Sequence, residues 1–160
     1  MSGKSPTIKI SDLSGAKAAI ISARWHSEIC DQLVAGATRA VKEANIQSID
    51  LHEVPGSFEL PLAAKLALTN GADFAVVLGV VLRGETPHFD YVCQGVTNGV
   101  MKVSLKLDKP IGFGVLTVDK IEQAIARSGA PGSKEDKGYD SAIAALELLR
   151  LKRQLSGRFA

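Results

Sequence analysis

The sequence predicts an α/β protein: a three-layer α/β/α sandwich around a four-stranded parallel sheet, flavodoxin-like in its connections. Three observations carry this. Four short apolar runs rich in β-branched residues are bounded by turn signals, the gaps between them hold apolar residues at helical spacing, and the two patterns alternate along the chain. Strands that are apolar nearly throughout are covered on both faces, and parallel neighbours are joined by right-handed helical crossovers.

The first strand is residues 16–22, "AKAAIIS", whose length and branching suit a buried strand. A helix follows, because from Ile29 the apolar positions Leu33, Ala37, Ala40, Val41 and Ala44 share one face at a period of 3.6. Residues 48–54, "SIDLHEV", form the second strand. In "SFELPLAAKLALTNG" Ser57 is the expected N-cap, a proline stands in the early turns, and Asn70-Gly71 stops the helix. The third strand is residues 75–82, "AVVLGVVL". Phe89, Val92, Val96, Val100 and Val103 then mark another helix. Residues 111–118, "IGFGVLTV", are the fourth strand, followed by a short helix over about 120–128, the loop "GAPGSKEDKG" and a long helix over about 139–155.

The chain is read as one domain, residues 1–160, with no internal repeat. Residues 1–14, which include "PTIKI", are an N-terminal arm suited to pairing with the sheet edge of a neighbouring subunit. A domain of 160 residues removes roughly 70% of its unfolded surface from water, enough for one core.

Charge and composition exclude several classes. A formal net charge of +2 gives no basic field for nucleic acid, and no apolar stretch reaches the roughly 18 residues of a membrane span. The start "MSGKSPTIKI" lacks the apolar core of a secretion signal, so a cytoplasmic location is expected. Cys30 and Cys93 lie far apart without CxxC spacing and are expected as buried free thiols inside helices; no metal site is expected.

In parallel sheets ligands bind outside the carboxyl ends of the strands. Those ends read "ARWH", "VPGSFE", "RGETPH" and "TVDK". Trp25, the sole tryptophan, either stacks on a ring or caps the core. In "RGETPH", Thr86 is the expected N-cap and Pro87 the first helical residue, which puts the main-chain N–H groups of Gly84, Glu85, Thr86 and His88 at or near a helix N-terminus. Free donors and the positive end of a helix favour an anion by about 0.3–2 kcal/mol, and glycine allows close approach. His88, beside that phosphate seat, is suited to moving protons near neutrality. His26 and His52 lack such a setting.

Ser57 reads as a helix cap, while Glu59 has two readings: a complement to the helix dipole in the first turn, or an acceptor for the hydroxyls of a polyol. Arg127 is by default a helix-end cation, Lys134, Glu135, Asp136 and Lys137 a solvated mixed-charge loop, and Arg150, Lys152, Arg153 and Arg158 a solvated basic helix end.

The string "VLGVVLRGETPHFDYV", with "PGSFELP" before it and "PIGFGVLT" and "EDKG" after it, resembles the 6,7-dimethyl-8-ribityllumazine synthase family, in order from about Ala19 to Leu149. The resemblance implies condensation of 5-amino-6-(D-ribitylamino)uracil with 3,4-dihydroxy-2-butanone 4-phosphate, releasing phosphate and water, without metal or organic cofactor. By the same resemblance the pyrimidine stacks on Trp25 and meets the main chain along Val80, Val81 and Leu82, and Ser57, Phe58 and Glu59 hold the ribityl chain. Gly84, Glu85 and Thr86 receive the phosphate, Arg127 and Phe113 come from a neighbouring subunit, Lys137 approaches a carbonyl of the pyrimidine and His88 shuttles protons. Family members assemble as pentamers, some as larger shells.

Two positions depart from the family's common pattern. Trp25 stands where phenylalanine is frequent, and Asp136 stands where asparagine is frequent and brings a negative charge near the phosphate neighbourhood. The alternative reading is a non-catalytic flavin- or lumazine-binding or shell-forming protein of the same fold. A flavodoxin-like FMN module fits less well, since bulky Trp25 and Glu28 stand where its hydroxyl-rich phosphate loop belongs.

Overall fold

The computed structural model describes residues 10–157, so most of the expected N-terminal arm and Arg158 lie outside the described residues. The elements run β1 (Lys17–Ala23), α1 (Ser27–Glu43), β2 (Ser48–Val54), a 3-10 turn (Ser57–Glu59), α2 (Leu60–Thr69), β3 (Phe74–Leu82), α3 (His88–Leu107), β4 (Ile111–Val118), α4 (Ile121–Ile125) and α5 (Lys137–Leu155). The strands pair in the order β2-β1-β3-β4, all parallel, which is the expected fold class.

Alternation along the strands builds the two outer layers. Successive side chains of a strand point to opposite faces. Ile20, Phe74, Val76, Leu78 and Leu116 therefore pack on one side with Leu33, Ala37 and Leu146 of α1 and α5. Ile21, Ala75, Val77 and Val115 pack on the other side with Leu60, Ala64, Val96 and Val100 of α2 and α3. Fully buried side chains such as Phe74, Leu33 and Leu60 each contribute about 1.5–3 kcal/mol of hydrophobic stabilisation. β2 is an edge and mostly exposed, with Leu51 in solvent, whereas β3 is central and buried to Val81.

Two helix boundaries differ from those the sequence suggests, for local reasons. α4 stops at Ile125 because the chain tightens there. Arg127 N donates to Ala124 O and Ser128 N to Ile125 O, the hydroxyls of Ser128 and Ser133 both donate to the Ile125 carbonyl, and Gly129 takes φ +80°. α5 starts earlier, at Lys137, because the Asp136 carboxylate accepts from Tyr139 N at 2.9 Å and caps it. Among the described residues no helix is long and apolar enough to cross a membrane.

Candidate active site

The strand order reverses direction at β1, so the connections leaving β1 and β3 diverge and open a crevice at their carboxyl ends. Register sharpens this. β3 pairs with β1 only as far as Leu78, but with β4 as far as Leu82. The main chain of Gly79–Leu82 therefore has a strand neighbour on the β4 side alone, leaving peptide groups on the β1 side for a ligand.

Trp25 stands at one wall of this region. It is 69% exposed, so it does not cap the core. His26, directly after it, takes the left-handed conformation at φ 58° and turns the chain into α1. The indole lies over Gly56, where an added Cβ would come 3.5 Å from Trp25 Cδ1. Trp25 also borders a cavity of about 720 Å³ with Arg24, His26, Pro55, Ile121 and Ile125.

Ser57 does not cap α2, contrary to expectation. A 3-10 turn over Ser57–Glu59 intervenes, and Glu59 does the local capping by accepting from Gly56 N at 2.9 Å. Ser57 instead faces inward. Its side chain is buried, and its Oγ bonds to no protein atom among the described residues. A Cβ on Gly79 would lie 2.5 Å from that oxygen, so the glycine makes room for the hydroxyl just where β1 pairing ends. Phe58 is largely exposed and rests against Gly95 of α3.

Thr86 is not the N-cap of α3 either. Pro87 occupies that position with helical dihedrals, and its carbonyl accepts from Asp90 N at 2.9 Å. The donors nonetheless stay unpaired at the start of the helix. Among the described residues the N–H groups of Gly84, Glu85, Thr86 and His88 donate to no protein acceptor, and all four residues are exposed at the start of a 20-residue helix.

Arg83, which sequence reasoning passed over, clamps this loop. Its Nε donates to Asp119 at 2.7 Å, its Nη1 lies 3.4 Å from Asp90, and its guanidinium stacks 4.1 Å over the Phe89 ring. The hydrogen bond to Asp119 holds the guanidinium all the more firmly in its charged form. The end of β3, the end of β4 and the first turn of α3 are thereby tied together.

Phe113, Arg127 and Lys137 gather elsewhere. They line a cavity of about 1090 Å³ between β4 and α5, whose walls include none of Trp25, Ser57, Gly84, Glu85, Thr86 or His88. Arg127 donates to its own helix at Gln123 O (2.9 Å) and stands 3.7 Å from Glu135. Lys137 Nζ is 2.5 Å from Glu135 and 3.1 Å from Asp140. The bond to Glu135 above all, and then Asp140, raises the Lys137 ammonium above the usual lysine range.

Glu135, Asp136 and Lys137 of the mixed-charge loop are therefore ion-paired rather than merely solvated, and Asp140 is a partner the sequence spacing did not flag. Asp136 does not add an unpaired charge: it caps α5 and pairs with Arg39 at 2.6 Å. Burial raises the Cys30 thiol to about 11; Cys93 is only half-buried, not buried as expected. Among the described residues no cluster of three metal-ligating side chains occurs.

The family profile described as 6,7-dimethyl-8-ribityllumazine synthase matches residues 15–153. Curated relatives carry the same name. The protein of Streptomyces coelicolor is 48% identical over 98% of this chain and 98% of the relative. That of Paenarthrobacter aurescens is 52% identical over 98% of this chain and 100% of the relative. That of Kineococcus radiotolerans is 51% identical over 92% and 91%. Among solved structures, a GDP-L-fucose synthetase from Naegleria fowleri covers 99% of this chain and 50% of that one at a TM-score of 0.39 and 10% identity, too distant to bear on function.

Proposed function

This chain belongs to the 6,7-dimethyl-8-ribityllumazine synthase family and is an enzyme of riboflavin biosynthesis, and we propose how its residues divide the reaction. The reaction condenses 5-amino-6-(D-ribitylamino)uracil with 3,4-dihydroxy-2-butanone 4-phosphate to the lumazine, phosphate and water. The relatives' shared name favours this over a non-catalytic carrier or shell protein.

The observation that carries the assignment is the one-sided pairing of Gly79–Leu82, flanked by Trp25, Ser57 and the unpaired amides of Gly84, Glu85 and Thr86. A planar pyrimidine has both a face and an edge to satisfy. Trp25 stacks on the face, and the main chain of Val80, Val81 and Leu82 meets the edge. Ser57, Phe58 and Glu59 border the ribityl chain. The phosphate sits on the amides at the start of α3, where dipole and donors agree in sign.

Chemistry then consists of proton movements between held partners. The pyrimidine amine adds to the ketone and water leaves to give the imine; phosphate departs by elimination; the second nitrogen closes the ring on the new carbonyl with loss of water. His88, at the lip of the phosphate seat, takes and returns the protons. A positioned acid and base is worth about 10²–10⁴-fold, and holding two substrates in contact contributes at least as much.

Arg127, Lys137 and Phe113 reach the site from a neighbouring subunit of a homo-oligomer, a pentamer or larger. The separation of their cavity from the residues around β3 supports this. The chain acts as a single domain in the cytoplasm.

The test uses oligomers reassembled from two impaired variants at a subsaturating concentration of the phosphate substrate, with product formation followed by absorbance and fluorescence. His88→Ala is expected to lower kcat about 100-fold, and Arg127→Ala to raise KM for the phosphate substrate. If each site draws His88 from one subunit and Arg127 from the next, an equal mixture regains about a quarter of native activity, because half the subunits supply each intact residue at random. No regain would place both residues in one chain's site; native rates in both variants would sink the assignment of roles.

A further inference from the structure

We propose that Arg39 and Asp136, which line neither of the two cavities described above, form a positioning lock that sets where Arg127 and Lys137 stand. This rests on the reading of those two cations as substrate-facing groups.

The lock is built from independent contacts. Asp136 Oδ1 accepts from Tyr139 N at 2.9 Å and Oδ2 from Arg39 Nη2 at 2.6 Å, so its oxygens point back toward α1. The carboxylate is wedged between two glycines. A Cβ on Gly36 of α1 would lie 2.3 Å from Oδ1, and one on Gly129 would lie 2.5 Å from Cγ. Gly129 also takes φ +80°, which disfavours any side chain there. Arg39 is itself held, stacking 5.0 Å over the Tyr139 ring, while the Tyr139 hydroxyl donates to Glu43 of α1 at 2.6 Å.

What the lock holds is the loop bearing both cations. Lys137 N donates to Arg127 O at 2.9 Å, Gly129 N to Glu135 O at 3.1 Å, and the amides of Lys134 and Glu135 both donate to Ala126 O. Arg127 and Lys137 thus form the two ends of one closed loop, and Asp136 is the side chain that ties it to α1. Charge adds a second effect. Arg39 neutralises a carboxylate one residue from Lys137, which would otherwise oppose an incoming phosphate. A small displacement of such a loop is expected to weaken use of the phosphate substrate while the chemical step proceeds.

The experiment compares steady-state kinetics and thermal unfolding of the assembled protein in R39Q, D136A, D136N and R127A. Arg39 is half exposed, with 53% of its side chain in solvent, so R39Q leaves the fold intact and can decide the matter even if D136A fails to fold. The expected result is a rise in KM for 3,4-dihydroxy-2-butanone 4-phosphate of about 10-fold in R39Q and D136A, with kcat within about twofold. D136N, which keeps the cap and an acceptor for Arg39 but loses the ion pair, should raise KM by less than D136A does, and combining it with R39Q should restore nothing. If R127A raises KM but R39Q does not, and R39Q lowers only the unfolding temperature, the lock is merely structural and the proposal fails. If R127A itself leaves KM unchanged, the underlying site assignment fails, and the proposal with it.

Discussion

Ser57→Ala is expected to move stability and substrate affinity in opposite directions. In the free protein the Ser57 hydroxyl is buried and unpaired among the described residues. Leaving a buried hydroxyl unsatisfied costs about 1–3 kcal/mol, whereas deleting one oxygen gives up less than about 1 kcal/mol of dispersion contacts. The alanine variant should therefore gain on the order of 1 kcal/mol, which for a chain of this size raises Tm by about 2–4 °C. Binding should respond with the opposite sign. If the hydroxyl bonds to the ribitylaminouracil, its loss forfeits about 0.5–1.5 kcal/mol, a 2- to 13-fold rise in KM for that substrate. Thermal unfolding without ligand and steady-state kinetics with the pyrimidine varied give both numbers. A Tm that falls by 2 °C or more with KM unaltered would refute the reasoning, since the hydroxyl would then be satisfied within the free protein and idle toward substrate.

Two further outcomes follow from packing and titration. Gly138 lies inside α5, where alanine usually gains about 0.5–1 kcal/mol over glycine. Here a Cβ would come 2.1 Å from the Leu33 carbonyl oxygen of α1, so Gly138→Ala is expected to destabilise by about 1–3 kcal/mol or more in thermal unfolding. Tyr139 is raised to about 12, first by burial and then by its hydrogen bond to Glu43. Because the folded state holds this proton more tightly than the unfolded chain, its contribution is complete below pH about 10 and is lost as pH rises from about 10 to 12. Chemical denaturation across that range should fall less steeply in Tyr139→Phe than in the native protein.

The strands were readable in the sequence because both faces of the sheet are covered, which makes "FAVVLGVVL" apolar throughout. Even β2, exposed along most of its length, kept its turn signals and was placed at residues 48–54 as expected. Caps were read less well, since capping residues can be claimed by tertiary partners. Ser57 has the look of an N-cap in "GSFE", but the space left by Gly79 draws its hydroxyl inward and Glu59 performs the capping. Pro87 with helical dihedrals displaces Thr86 by one position.

Pairings across the fold left no local trace. Arg83 and Asp119 are 36 residues apart, Arg39 and Asp136 are 97 apart, and no periodicity joins either pair. The grouping of Phe113, Arg127 and Lys137 came from family resemblance alone. The fold explains why spacing could not supply it: one residue lies within β4, one follows α4, one opens α5, and they meet only because α5 packs beside the sheet edge.

The electrostatics of the two half-sites argue for different tasks for the two cations. Loop amides and a helix end favour an anion by at most about 2 kcal/mol, too little to hold a phosphate at low concentration, so a cation must join them. Lys137 is poorly placed to change partners, because it bonds Glu135 at 2.5 Å and Asp140 at 3.1 Å and its charge is largely spent on them. Arg127 meets Glu135 only at 3.7 Å, with 41% of its side chain in solvent. An exposed pair of that length is worth under about 1 kcal/mol and exchanges readily for a phosphate, whose oxygens match a guanidinium better than one distant carboxylate does. On these magnitudes Arg127 is the cation expected to exchange its carboxylate for a phosphate, while Lys137 is expected to stay with its two carboxylates.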